Sequence, residues 1–514
     1  MQPIETDSSS TLQDFDPVFS DKTPTPLGAE EAKLFRDVCQ AAGYTSPRLE
    51  ERFGLLVPPP SDRLPATLSA TVGGRLDQNA SPFDVLAKAF FLGTAVEAET
   101  ANALLPDGFV RSCLQSGLLT QDGTDYRPTA IVAPVGTALL ASDLQRIEYQ
   151  DEEQFVPALC DAALHLNAVA IRQRVGKTLD LCSGFALHGV LSCPHSETVV
   201  ASDLNPRAAA FARFNAALNG FENLRAVTGS LFEAVKGERF NLILANPPFV
   251  ISPDAVTTYR FNPIELDGFV RQMLSQAADY LEEGGILQTI CEWVEVQGQD
   301  WQDRLRRWLA DSGCDAWILP ANRQLPASYA RNTLAQTISD EAELAAQQTK
   351  WENYFQEQRV EAIQGGFLFI RRRAGKNWFD VTQLTKPIRQ PIGDAIARGF
   401  SNRDLALSDD EDALLASRLT VADGLRQVET SHWKEFRWQR DSIVLHLDDG
   451  LPVSIGIDEY VRTLLEMFDG SRPVLECLDR FANQVGLAIE TGRKQGTAMV
   501  RSLLKNGILV ATSR

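Results

Sequence analysis

Leu179-Asp180-Leu181-Cys182-Ser183-Gly184-Phe185-Ala186-Leu187-His188-Gly189 decides the fold. An apolar run ends near a carboxylate, passes through a tight turn of small residues and enters a helix. Such a turn can be mere topology, so its neighbours must say whether it holds a ligand. Val199-Val200-Ala201-Ser202-Asp203 places a second carboxylate at the carboxyl edge of a strand, 23 residues beyond Asp180. That is about the spacing at which a doubly wound fold meets a ribose diol with an acidic acceptor.

Working outward, short Val, Leu and Ile runs alternate with helical segments between Lys177 and Arg373. They cover 178–182, 198–201, 225–228, 240–245, 285–291, 316–319 and 367–370. Near-continuous apolar strands separated by helices predict a parallel, doubly wound α/β sheet covered on both faces. Four strand ends carry turns in one half of that sheet, and ligands bind outside the carboxyl ends of strands. Gly229-Ser230-Leu231-Phe232 follows the third strand, and the fourth ends in Leu244-Ala245-Asn246-Pro247-Pro248-Phe249.

Asn246-Pro247-Pro248-Phe249 is the most specific of these turns. Two prolines remove two backbone donors and fix their own φ, so the Asn246 amide and the Pro247 carbonyl can converge as acceptors on an NH2 group. An amino group held by two acceptors has its lone pair directed outward, and Phe249 can stack on a flat base or amide. The bland alternative, an Asn-Pro turn closing a buried strand, weakens once the other three turns are counted.

The composition limits what such a site can serve. The 514 residues suit two to four domains. With 44% hydrophobic and 23% charged residues the chain is ordinary globular protein, neither fibrous nor wholly disordered. A net charge of −19 means that any nucleic-acid contact must be local. The eight cysteines show no CxxC pair and no His at zinc-like spacing, so no metal site is expected. No stretch approaches 18 uninterrupted apolar residues, so no membrane partner is expected. The first 25 residues lack a basic region followed by an apolar one, which points to the cytoplasm.

Four segments are expected. Residues 1–28 read as a mobile tail, 29–145 as a helical domain, 146–375 as the sheet domain and 376–514 as an accessory domain. A repeat links the ends: Val110-Arg-Ser-Cys-Leu-Gln-Ser-Gly-Leu-Leu119 and Val500-Arg-Ser-Leu-Leu-Lys-Asn-Gly-Ile-Leu509 share six of ten residues. Helix, glycine cap, strand is a winged-helix ending, expected within 29–145 and at 451–514. The acidic run 408–412 reads as a solvated loop or helix N-terminus. Arg493, Lys494, Arg501, Lys505 and Arg514 stand in a final segment without acidic residues, a candidate positive face for phosphates.

The segments LDLCSGFALHG, VVASDLNPRAAAFARFNAALNG, GSLFEAV and RFNLILANPPFVISP together resemble the class I S-adenosylmethionine-dependent methyltransferases. Within these they resemble the "methyltransferase small" group, over Pro157 to about Arg373. That group holds ribosomal RNA guanine N2-methyltransferases and HemK-like glutamine N5-methyltransferases. The resemblance implies a Rossmann-like sheet and S-adenosyl-L-methionine as cofactor. Asp180 and the turn at Cys182, Gly184 and Ala186 would face its methionine part, and Asp203 its ribose. Leu204 and Asn205 would flank the adenine, with Ser230 and Leu231 at its edge. Asn246, Pro247, Pro248 and Phe249 match the catalytic tetrad. The loop Glu265-Leu266-Asp267-Gly268 is similar to a substrate-side loop of HemK-like enzymes.

The family usually has glycine where Cys182 and Ala186 stand, and frequently Asp at Ser230. Cys and Ala keep the turn if their φ stays negative. The expected activity is N-methylation of a planar NH2 nitrogen, first of a nucleic-acid base in RNA. The alternatives are a protein glutamine, or a binding module that has kept the fold and lost turnover.

Overall fold

The computed structural model describes residues 23–61, 64, 80–146, 154–254, 259–261, 264–388, 390–448 and 450–512. Most of the expected tail, and Arg514, lie outside them. Strands are numbered in chain order. The N-terminal part places β1 (Val96–Glu97), β2 (Leu119–Asp122) and β3 (Asp125–Pro128) in a sheet of order β1-β3-β2. Helices at Ala29–Ala41, Ser46–Phe53, Ala98–Leu104 and Asp107–Ser116 pack around it. A hairpin of β4 (Ala130–Val135) and β5 (Ala138–Asp143) follows, buried throughout.

The large sheet comprises β6 (Val175–Leu181), β7 (Ser196–Asp203), β8 (Leu224–Thr228), β9 (Phe240–Ala245), β10 (Leu281–Val296), β11 (Cys314–Gln324), β12 (Val360–Arg372) and β13 (Phe379–Val381). Its order is β13-β11-β12-β10-β9-β6-β7-β8. Each expected run lies in one of these strands, except that the first runs one residue past β6 to Cys182. Leu242 and Leu244 feed one apolar cluster while Ile243 and Ala245 feed another, so both faces are covered and the strand reads as a continuous apolar run.

The expectation of a parallel sheet needs correction. β12 runs antiparallel to both β10 and β11, which makes the sheet mixed. Apolar content reports burial on two faces and is blind to direction. The sheet also runs past the expected boundary at 375, because Phe379–Val381 pairs with β11 as its edge strand.

The C-terminal part adds β14 (Arg418–Val421), β15 (Leu425–Lys434), β16 (Arg437–Leu447), β17 (Ser454–Ile457), β18 (Asp469–Pro473) and β19 (Leu509–Ala511). They form two small sheets, β15-β16-β17 and β18-β14-β19. The repeated decamers occupy equivalent places: each closes a helix at a glycine of positive φ, Gly117 (+78°) or Gly507 (+74°), and enters a strand. The third strand follows that unit in sequence at the N-terminus and precedes it at the C-terminus. Asp410 of the acidic run caps the helix Glu411–Ala416 by accepting from Ala413 N at 2.9 Å.

Candidate active site

The chain leaves β6 toward β7 and β8 on one side and returns through β9 to the other, so the strand order reverses beside β6. A crevice belongs at such a point. Leu181 of β6 pairs with both Ser202 of β7 and Ala245 of β9. The next residues, Cys182, Asp203 and Asn246, therefore stand side by side at one sheet edge. Two inter-strand steps separate Asp203 from Asn246, about 10 Å.

The turn after β6 is built around Asp203. Its carboxylate accepts from Gly184 N at 2.8 Å and from Asn205 N at 2.9 Å, tying the first turn to the second strand. Burial raises its pKa, and the backbone donors pull it back. A carboxylate offers about four lone-pair sites, so two backbone donors leave room for a diol. Beside it Leu204 is 57% exposed, an apolar side chain that no core residue needs. Leu231 is buried and Ser230 exposed at the end of β8.

Asp180 lies beneath the turn. One oxygen accepts from Gly189 N at 2.7 Å, and a Cβ at Gly189 would press on Asp180 and Leu224, so glycine there lets the helix approach the strand. The other oxygen is buried without a hydrogen-bond partner among the described residues, as are the Ser183 and Ser202 hydroxyls and both His188 ring nitrogens. Burial and the neighbouring Asp203 hold the Asp180 pKa well above the usual carboxylate range. Unsatisfied buried polar atoms clustered at one turn fit a polar ligand that supplies donors there.

Cys182 and Ala186 depart from expectation. Their φ values are +56° and +63°, so both adopt the left-handed conformation that the family's glycines reach without strain. Each non-glycine residue there costs about 1–2 kcal/mol. Ala186 is fully buried against Ala201 and Ala212, which holds it in place.

Asn205 is committed elsewhere. Its side chain caps the helix Pro206–Leu218 by accepting from Arg207 N at 2.9 Å, and it donates to Gln154 O at 2.9 Å. What it could offer an adenine is its place in the chain.

Asn246 leaves β9 half-buried, and its side-chain amide makes no hydrogen bond among the described residues. Pro247 is buried; Pro248 and Phe249 are partly so, with Phe249 packed against the core of one sheet face. Downstream, Ile251 N donates to the Tyr329 hydroxyl at 3.0 Å, and that hydroxyl donates to Glu292 at 2.5 Å. Sequence reasoning missed this pair. Burial pushes the Glu292 carboxyl up to about 7, against the pull of Tyr329 and Arg260.

Two expectations for substrate contact are narrowed, since Glu265 of the expected loop is exposed but its neighbour Asp267 is not. Asp267 is 3% exposed, doubly paired with Arg304, and accepts from Val294 N at 3.0 Å, so it anchors its loop to β10 instead of meeting a substrate. Two of the five C-terminal basic residues are ion-paired, and a third is held by backbone carbonyls. Arg493 pairs with Asp479 at 2.6 Å, Lys505 with Asp380 at 2.5 Å, and Arg501 donates to Ala406 O and Ser408 O. The acidic partners lie in earlier segments, outside that window, while Lys494 forms no ion pair among the described residues.

The strand order and this edge are those of a Rossmann-like α/β domain whose crevice opens at the carboxyl ends of its strands. Residues 155–295 match the Methyltransferase small domain family, and residues 41–129 match a Domain of unknown function (DUF7059). The chain is 35% identical over 167 residues to a release factor glutamine methyltransferase of Deinococcus radiodurans, covering 30% of this chain and 56% of that one. It is 29% identical over 127 residues to a ribosomal protein uL3 glutamine methyltransferase of Francisella tularensis, covering 22% and 40%. The chain thus spans between 40% and 56% of the length of these relatives. A ribosomal protein L11 methylase of Lactobacillus delbrueckii subsp. bulgaricus aligns in structure with 16% identity and a TM-score of 0.23, over 41% of this chain and 76% of that one.

Proposed function

We propose that the protein is an S-adenosylmethionine-dependent N-methyltransferase whose acceptor is a planar amide nitrogen, with a protein glutamine as the first acceptor class. The observation that carries this reading is the placement of Asn246-Pro247-Pro248-Phe249 two strands from Asp203 at one sheet edge. Relatives named as glutamine methyltransferases support the choice of acceptor. So does the pairing of Arg493 and Lys505, which weakens the C-terminal positive face that had favoured RNA.

In this reading Asp203 binds the ribose hydroxyls, Leu204 lies along the adenine with Ser230 and Leu231 at its edge, and the turn from Asp180 to Ala186 holds the amino-acid end. When bound, the cofactor supplies a methyl group on a sulfonium centre. Asn246 Oδ1 and the Pro247 carbonyl accept hydrogen bonds from the acceptor NH2, turning its lone pair outward, while Phe249 packs on the planar group. Pro248 fixes the turn. Holding both partners in line is the main contribution such a site can make. The two strand–helix–helix–strand units at the ends are read as winged-helix modules, with the sheet domain between them.

The test uses the full chain with radiolabelled cofactor and an extract of a deletion strain. Label released by protease and retained after RNase is expected. Label released by RNase would move the acceptor to a nucleic-acid base. Asn246→Ala is expected to lower turnover by about 10² or more with cofactor affinity nearly unchanged. Equal turnover in that variant refutes the assignment.

A further inference from the structure

The hairpin of β15 and β16 leaves the core as a bare two-stranded arm. Ile443 and Leu445 at its base are buried, but every residue from Arg426 to Trp438 is exposed. At the end of the arm Trp433 (59% exposed) lies directly opposite Trp438 (69%), with ring centroids 5.6 Å apart. Phe436, in the connecting turn, is 93% exposed.

Nothing in folding asks for this tip. Glu435 and Phe436 have φ of +52° and +59°, the paired left-handed conformation of a tight hairpin turn that Asn-Gly fills without strain. A bulky aromatic there is strained and buries nothing. Strain at an exposed aromatic points to a use outside the fold.

The charge around the tip narrows that use. Lys434 and Arg437, cross-strand partners next to Phe436, form no ion pair among the described residues. Other basic side chains of the region are neutralised: Arg426 by Asp448, and Arg440 by Glu459 and Glu429. Two cations without an ion pair stand beside three exposed aromatics; with Glu435 in the turn the tip keeps one net positive charge, which complements a chain of anions carrying flat groups. The protein is acidic overall, but about six residues of strand separate tip from base, roughly 20 Å. That exceeds the screening length of about 8–10 Å at physiological salt.

Area argues against a protein partner. Three aromatics bury roughly 450–750 Å², below the 800 Å² or so per partner of a stable interface, and a two-strand ribbon has no walls to form a pocket. A nucleic-acid strand needs only stacking faces and nearby cations.

We propose that the tip of this arm, through Trp433, Phe436, Trp438, Lys434 and Arg437, is a binding site for single-stranded RNA. Bases stack on the three aromatics, and the two cations meet phosphates. The site is separate from the methyl-transfer edge, and RNA bound here is a partner whatever the acceptor proves to be.

The test is fluorescence anisotropy of a labelled mixed-sequence 12-mer RNA with the full chain, without cofactor, between 50 and 200 mM salt. Its outcome is therefore independent of the methyltransferase reading. Binding in the micromolar range at the lowest salt is expected. Lys434→Glu with Arg437→Glu is expected to weaken it and flatten the log–log salt slope by about 1.4, two phosphates at 0.7 each. Phe436→Gly removes both the ring and the turn strain, so it is expected to lower affinity at least fivefold while leaving the melting temperature equal or higher. Trp433→Ala with Trp438→Ala is expected to weaken binding a further tenfold or more. Failure of the native chain to bind at 50 μM overturns the proposal. So does unchanged affinity in the aromatic variants, or sedimentation showing a dimer that those variants dissolve, which would make a second copy the occupant.

Discussion

Asp203 is the residue whose surroundings make the most specific demand. It stands at the end of β7, accepts two backbone N–H groups and keeps lone pairs to spare. Asp203→Ala is expected to weaken S-adenosylmethionine binding by roughly 1.5–3 kcal/mol, the range for a hydrogen bond to a charged group. Calorimetric titration checks this, and unchanged affinity removes Asp203 from the site. Glu292 makes a different prediction, about pH. Its folded pKa, about 7, lies above the unfolded value of 4.5. The folded state therefore binds more protons between these values, and stability falls as pH rises through that window. The contribution is fully present below about 4.5 and lost above about 7. Melting curves between pH 5 and 8 should show a decline that Glu292→Gln flattens, part of a contribution of about 3 kcal/mol in all. A parallel decline in both proteins would mean that Glu292 does not titrate there.

At the scale of elements, one helix joins the N-terminal part to the site. Asn215 on the helix Pro206–Leu218 and Asn219 at its C-cap, four residues apart, are separated by a rise of about 6 Å. Ala141 and Leu139, two apart on β5, span about 6.6 Å. The match lets each Asn amide pair with a strand residue as a further strand would. Asn215 accepts from Ala141 N at 2.7 Å and donates to Ala141 O at 2.9 Å, and Asn219 does the same for Leu139 at 2.9 and 2.7 Å. Asn215 also donates to Phe185 O, within the turn after β6. The same helix anchors β5 through Arg207, which pairs with Asp143 at 2.6 and 2.7 Å in a buried bidentate contact. Asn215→Ala strands three buried backbone groups, at about 1–3 kcal/mol each if unrelieved. A loss of at least 3 kcal/mol is expected, with weaker cofactor binding because Phe185 is released. An unchanged melting temperature with native affinity would show that water replaces the amide.

At the scale of the whole molecule, the N-terminal part is fused to the sheet domain. Phe185, Phe211 and Phe214 of the sheet domain share one apolar cluster with Phe35, Phe90 and Phe109 of the N-terminal helices. Deleting residues 1–145 should therefore expose a face of the sheet domain and yield protein that aggregates or binds a hydrophobic dye. A soluble truncated chain melting like the parent would show that the boundary is a true linker. At the other end Arg403, fully buried, stacks on Trp317 at 3.6 Å from the ring centroid and pairs with Asp380 at 2.9 Å. Lys505 meets the same Asp380, so the C-terminal helices are clamped to the sheet edge.

Much of the sheet was readable from sequence because a strand buried on both faces must be apolar along its length. Asp203 and Asn246 were readable because strand ends expose the few polar residues such a strand can hold. The direction of β12, the β4–β5 hairpin and the β15–β16 arm were not, because direction and pairing leave no trace in residue type. The positive φ of Cys182 and Ala186 was hidden for the converse reason: their residue types argue against that conformation, and burial of Ala186 in the surrounding core overrides the preference. The same holds for charge. Local windows show which residues carry it, but Lys505 meets Asp380 and Arg493 meets Asp479 only once the chain is folded. Sequence alone determined the sheet domain and the order of its turns, since these follow from local periodicity. The tertiary structure decided which side chains are left unpaired, since that depends on partners far apart in the chain.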